Sequence, residues 1–216
     1  MKEENKMKVV SKSLLFYLLS AVGISLTIKA SIGVSSFNSI NVSIANLSSI
    51  KVGNITTGLN LLFLAGCVIL DKDRSVFKYV LMFVATLCFG TVINFVYYTL
   101  FSGFEISNYI LRVLLFIVGV MISGFGTGQV IKIGWFKFPI ESCCELLEAR
   151  TAFSFKQYRY LVDIVCVTLA LAITFIFQQP LVVREGTILS LFLLSSMIGW
   201  SKNWSLSVTL NKLRQL

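Results

Sequence analysis

Four side chains in an otherwise apolar sequence have the types and settings to do chemistry: Asn38, Asn60, Glu141 and Asp163. Asp163 falls about two helical turns inside a long apolar run. A carboxylate there costs roughly 2.5–3.5 kcal/mol on insertion scales, so an acid held at that depth calls for a role. Glu141 follows Pro139 at the start of a short amphipathic stretch, where the helix dipole favours an anion. Asn38 and Asn60 supply amides that donate and accept without charge. Carboxylates beside neutral amides can respond to a proton or a cation while a polar solute is bound. A structural role fits the same residues: Asp163 has Arg159 four positions before it as a helical ion-pair partner, and Glu141 suits a solvated first turn.

The chain contains 0 histidines, which removes His-based zinc motifs and Ser-His-Asp or Cys-His catalysis. No convergent set of acids, bases and nucleophiles is visible, so we expect neither an enzyme, nor a cofactor, nor a metal site. The cysteines Cys67, Cys88, Cys143, Cys144 and Cys166 show no C-x-x-C spacing and read as small apolar fillers or free thiols rather than a disulfide framework.

With 56% hydrophobic residues in 216 and a mean hydropathy of +0.84, the chain is too apolar for a soluble domain. Its apolar runs are continuous rather than alternating, which indicates helical spans and not a barrel. The net charge of +9 belongs to loops and tails, and nucleic acid is not an expected partner. If both termini are cytoplasmic, only Lys29, Lys51, Arg112 and Arg184 of the 19 lysines and arginines fall outside. That bias is the one expected of a multi-pass protein of a cytoplasmic membrane.

Six spans are expected, at about 13–31, 54–70, 76–100, 109–131, 157–177 and 186–200, followed by a basic cytoplasmic tail at 201–216. The lysine-rich start before the first run also fits a signal peptide, but the run lacks a convincing small-x-small cleavage site before a polar mature start, and a retained first span is the stronger expectation. Two segments are too short and polar to cross. Residues 35–49 place Phe37, Ile40, Ile44 and Leu47 at helical spacing, and residues 138–150 form a second amphipathic helix opened by Pro139. Each lies at the interface or dips in as a re-entrant element. Ser154 and Gln157 form a capping box that opens the fifth span. Gly124, Gly126 and Gly128 sit within an apolar helix with no strand before them, so they read as a close helix-packing surface rather than a dinucleotide loop.

These elements repeat. A shift of 103 positions superposes Ser20 on Ser123, Gly23 on Gly126, Ile28-Lys29 on Ile131-Lys132 and Asn60 on Asp163. Asn38 falls on Glu141 by the same shift, so the four candidate residues are two equivalent pairs. The expected fold is therefore an all-α polytopic membrane protein in a single membrane domain over 1–216. It comprises a first repeat at 13–100 and a second at 109–200, each with three spans and one short amphipathic or re-entrant helix. An odd number of spans per repeat inverts the topology, as in many secondary transporters.

The stretch GISLTIKASIGVSSFNSINVSIANLSSIKVGNITTG resembles the first-half signature of the YczE/YyaS/YitT family of bacterial integral membrane proteins: an apolar helix, then L-G-x-x-[PA]-[WF]-[DN], a short amphipathic helix and a glycine. Pro139-Ile140-Glu141, Asp163 and Gly186-Thr187 are similar to its second repeat. Ser36 stands where the family has proline or a small residue, Asn38 where it has an acid, and Arg184 where it has glycine. The resemblance implies a bacterial cytoplasmic membrane and no established reaction. The expected function is a small secondary transporter or exporter of a small solute, with a coupling proton or cation and a polar site between the repeats. The alternative is a non-catalytic component: a substrate-binding subunit with a partner, a homo-oligomer, or an accessory protein.

Overall fold

The structure is a computed structural model that describes residues 2–71, 75–103, 106–135 and 137–204, with backbone alone at 2–6. Among these residues the chain forms α1 (Lys2–Ala30), α2 (Ser36–Ser48), α3 (Val52–Leu70), α4 (Val76–Asn94), α5 (Tyr109–Ile133), α6 (Pro139–Glu148), α7 (Phe155–Ile176) and α8 (Glu185–Asn203), with no strand. A π-helical segment, Phe95–Leu100, extends α4. Five stretches are long and apolar enough to cross a bilayer: Met7–Ala30, Val52–Leu70, Val76–Leu100, Tyr109–Ile133 and Phe155–Ile176. The chain is a multi-pass membrane protein.

Two differences from expectation have physical reasons. The first helix runs back to Lys2 because lysines at a helix end keep their charge in water while the backbone stays hydrogen-bonded. The sixth expected span lies in α8, which has 19 residues yet is not among the five apolar stretches. Glu185 and Lys202 fall inside its length, with Ser190, Ser195, Ser196 and Ser201 between them. The basic tail beyond Trp204 and residues 72–74 of the charged turn lie outside the described residues. Helices α2 and α6, at 13 and 10 residues, rise about 20 and 15 Å, well short of a core of about 30 Å.

Small residues set the packing. Helices α1 and α5 cross antiparallel: a Cβ on Gly23 would sit 2.6 Å from the Gly119 carbonyl oxygen, and one on Gly126 would sit 2.6 Å from that of Phe16. At the same crossing Ser20 Oγ donates to the Ser123 carbonyl at 3.3 Å. Lipid tails are as apolar as leucine, so close backbone packing of this kind is what holds helices together in a membrane.

Helix α4 runs parallel to α1. Tyr17 Oη lies 3.5 Å from Thr86 Oγ1, and Lys29 Nζ stands 5.8 Å from the Tyr97 ring centre. Helix α8 runs parallel to α5 in the same manner. Phe116 meets Gly186, Gly124 meets Met197 and Gly128 meets Ser201, while Gln129 Nε2 donates to the Ser201 carbonyl at 2.6 Å.

The remaining elements close a ring. Helix α2 packs on α3 and α7, and α6 packs on the same two helices. Tyr17 is 1% exposed and stacks on Phe138, with ring centres 4.2 Å apart, while Phe89 meets it edge-on at 4.9 Å. Such pairs contribute roughly 0.5–1.5 kcal/mol beyond their buried area. The two halves differ at one contact. Helices α3 and α4 pack as an antiparallel pair with Gly53 against Gly90, whereas α7 and α8 make no comparable contact among the described residues. At the positions shifted by 103 from Gly53 and Gly90 stand Lys156 and Leu193, neither of them a glycine.

Candidate functional site

The two short helices place their first turns at the centre of this ring. Ser35 leads into α2 with extended backbone, which sets Asn38 one turn in. Phe138 does the same for α6, and Pro139, with its ring-fixed φ and no N–H to satisfy, starts the helix that carries Glu141. Asn60 comes from the middle of α3. Arg159 and Asp163 come from the first turns of α7, whose start is fixed by the capping box of Ser154 and Gln157 expected from the sequence.

Asn38, Asn60 and Glu141 line one cavity of about 90 Å³, together with Arg159. Asp163 is not on its wall and reaches it through Arg159, whose Nη2 lies 3.4 Å from Asp163 Oδ1. The amides are held in place. Asn38 Nδ2 donates to Ser35 Oγ at 2.9 Å, Asn41 Nδ2 donates to Asn38 Oδ1 at 3.3 Å, and Asn60 Nδ2 donates to the Thr56 carbonyl at 2.9 Å. Both asparagines are buried, at 4% and 3% exposure.

The charged groups are less completely satisfied. Glu141 is half-buried as a residue, but its Oε2 is closed off from solvent and has no hydrogen-bond partner among the described residues. Arg159 Nη1 is likewise buried and unpartnered. A buried polar atom without a partner costs on the order of 1–3 kcal/mol, and more when charged. Burial pushes the Glu141 carboxyl above the ordinary carboxylate range, opposed by the Arg159 guanidinium and by a backbone N–H. Phe37, Phe89 and Phe138 supply apolar wall to the same cavity.

A single family model covers residues 8–203. The chain belongs to DUF6198, a family of unknown function. No curated protein and no solved structure matches it.

In this DUF6198 protein the residue that sequence reasoning left out of the site is Arg159. Its spacing from Asp163 marks it only as a helical ion-pair partner, which it is. Its place on the cavity wall comes from the packing of α7 on α2 and α6, which no local pattern encodes. The Gly186-Thr187 pair stitches elements together instead of meeting the cavity. Gly186 N donates to the Ile32 carbonyl at 2.8 Å, and Thr187 Oγ1 accepts from Val34 N at 3.3 Å.

Proposed function

We propose that this protein is a small secondary transporter or exporter of a small polar solute, built as two inverted three-span repeats at 13–100 and 109–200. The solute site is the cavity lined by Asn38, Asn60, Glu141 and Arg159, with Asp163 behind Arg159. The observation that carries the reading is the cavity itself: its polar wall comes from Ser35, Asn38, Thr56 and Asn60 of the first half and from Thr127, Glu141 and Arg159 of the second.

The α1–α5 crossing supports the inverted repeat. Ser20 and Ser123, which are bonded to each other, are separated by 103 positions. The same shift exchanges the contact of Gly23 and Gly119 with that of Gly126 and Phe16. A contact set that maps onto itself in this way fits a two-fold axis through Ser20 and Ser123. The parallel pairs α1–α4 and α5–α8 obey the same relation, and an axis in the membrane plane is the arrangement common among transporters. Kinship with the YczE/YyaS/YitT family, and a bacterial cytoplasmic membrane with both termini inside, belong to this proposal on the strength of the motifs and the lysine and arginine distribution.

Alternating access is tested by side-specific labelling. With the native cysteines replaced, Asn38→Cys in oriented proteoliposomes should react with a membrane-impermeant maleimide from either face. Reaction from one face only, or from neither, removes the transport reading. In that case a substrate-binding subunit is the better description, which the unpaired flanks of α7 and α8 favour because a partner could occupy the place that α4 fills beside α3.

A further inference from the structure

The wall of the cavity specifies more than polarity. Arg159 and Asp163 compensate each other at 3.4 Å, and among the described residues Glu141 forms no ion pair. With both acids ionised the three carry one net negative charge, which a bound cation would stabilise against the protonation that burial favours in the empty cavity. Among the described residues no cation besides Arg159 lines the cavity. The other polar groups on the wall are neutral, the amides of Asn38 and Asn60 and the hydroxyls of Ser35, Thr56 and Thr127, and the apolar wall includes the rings of Phe37, Phe89 and Phe138.

A carboxylate with aromatic rings around a partly enclosed space is the chemistry that holds organic ammonium ions: the ring quadrupoles attract the cation, and the carboxylate neutralises it. An inorganic cation would want several hard oxygen ligands at once, whereas this wall has one carboxylate, and Ser35 Oγ and Asn38 Oδ1 beside it already accept hydrogen bonds. The space of about 90 Å³ is well above the roughly 10–15 Å³ that admits one water, yet suits only a cation of a few heavy atoms.

We propose that the cavity among α2, α3, α6 and α7 binds a small organic ammonium cation, held between the Glu141 carboxylate and the rings of Phe37, Phe89 and Phe138. This rests on the reading of that cavity as the solute site. Arg159, with Nη1 unpartnered, is the feature that would instead recruit a carboxylate, so anions and zwitterions are the informative competitors.

The experiment is competition against radiolabelled methylammonium on the protein in lipid nanodiscs, using tetramethylammonium, glycine and acetate. Both ammonium ions should compete and acetate should not. Glu141→Gln should weaken methylammonium at least tenfold with unchanged thermal stability of the empty protein. Absence of saturable methylammonium binding overturns the proposal, as does displacement of methylammonium by acetate but not by tetramethylammonium, or a folded Glu141→Gln that binds methylammonium normally. The competition needs no variant, so it decides the question even where Glu141→Gln misfolds. The labelling experiment separates the two readings. Ammonium binding with one-sided labelling at residue 38 keeps the cation and discards transport; two-sided labelling without ammonium binding does the reverse.

Discussion

Gly23→Ala puts the packing of α1 on α5 to a quantitative test. A Cβ at this position lies 2.4 Å from Ser123 N and 2.6 Å from the Gly119 carbonyl oxygen, against the 3.4 Å at which ordinary contact begins. The shortfall is about 1.0 Å, and the obstructing atoms are backbone, so the helices must separate rather than a side chain swing away. Overpacking of this kind costs about 1–3 kcal/mol, and rigid neighbours place it near 3. Alanine returns up to about 1 kcal/mol of helix propensity, leaving a net loss of about 2 kcal/mol. Gly58→Ala is the matched control: Gly58 is exposed on α3 and nothing lies within 4 Å of its added Cβ, so the same substitution there should be neutral or stabilise by up to about 1 kcal/mol. For a chain of this size the difference is a melting temperature lowered by about 4–8 °C at residue 23 and unchanged or raised by about 2–4 °C at residue 58. Thermal unfolding in mild detergent, read by size exclusion, measures both. Equal stability of the two variants would refute the close crossing and, with it, the main support for a two-fold relation between the halves.

Further outcomes follow from the site. The Glu141 carboxyl, raised by burial and faced by Arg159, Asp163, Glu145, Tyr17 and Cys144, favours its protonated form in the folded state, so its contribution to stability is complete at acid pH and is lost as pH rises through the raised value. Glu141→Gln should flatten that part of the stability–pH profile, and a profile identical to the parent would contradict the burial. Asp163→Asn strips Arg159 of its counter-charge. Because the pair is partly exposed, the cost should be about 1–2 kcal/mol, below the 3–5 of a fully buried pair, and adding Arg159→Gln should recover most of it in a double-mutant cycle. The neighbouring Cys67 thiol holds the Cys143 thiol below the ordinary thiol range. Copper phenanthroline with oxygen should therefore join Cys67 of α3 to Cys143 of α6, seen as a cross-linked peptide that Cys67→Ala abolishes.

What the sequence discloses depends on how local the cause is. The short helices expected at 35–49 and 138–150 are α2 (Ser36–Ser48) and α6 (Pro139–Glu148), because helical spacing, Pro139 and the flanking turns act within a few residues. The capping box at Ser154 is local in the same sense. The apolar run at 109–131 becomes α5, ending two residues later at a left-handed Gly134. The contacts of α8 are another matter. Its charged and hydroxylated length reads weakly as a span, and its close fit to α5 comes from Gly124 and Gly128 meeting Met197 and Ser201, residues about 70 positions away. The separation of α7 from α8 depends on what is missing, a glycine pair like Gly53 and Gly90, and becomes legible only once the halves are compared. The four candidate residues stand out as polar intruders in apolar sequence. That Asp163 stands one shell back, behind Arg159, is a consequence of how α7 turns against α2 and α6.

The central claim is alternating access between inverted halves, and paired distances measure it most directly. Ser49 and Gln178 are exposed, and the shift of 103 carries them to Ala152 and Ser75, also exposed. Spin labels on Ser49→Cys with Gln178→Cys, and separately on Ser75→Cys with Ala152→Cys, report equivalent spacings at opposite ends of the two repeats. In lipid nanodiscs, with and without tetramethylammonium, double electron–electron resonance should show one distance lengthening as the other shortens. Two single, narrow distributions that stay fixed in both conditions would contradict alternating access and leave a rigid membrane component in its place.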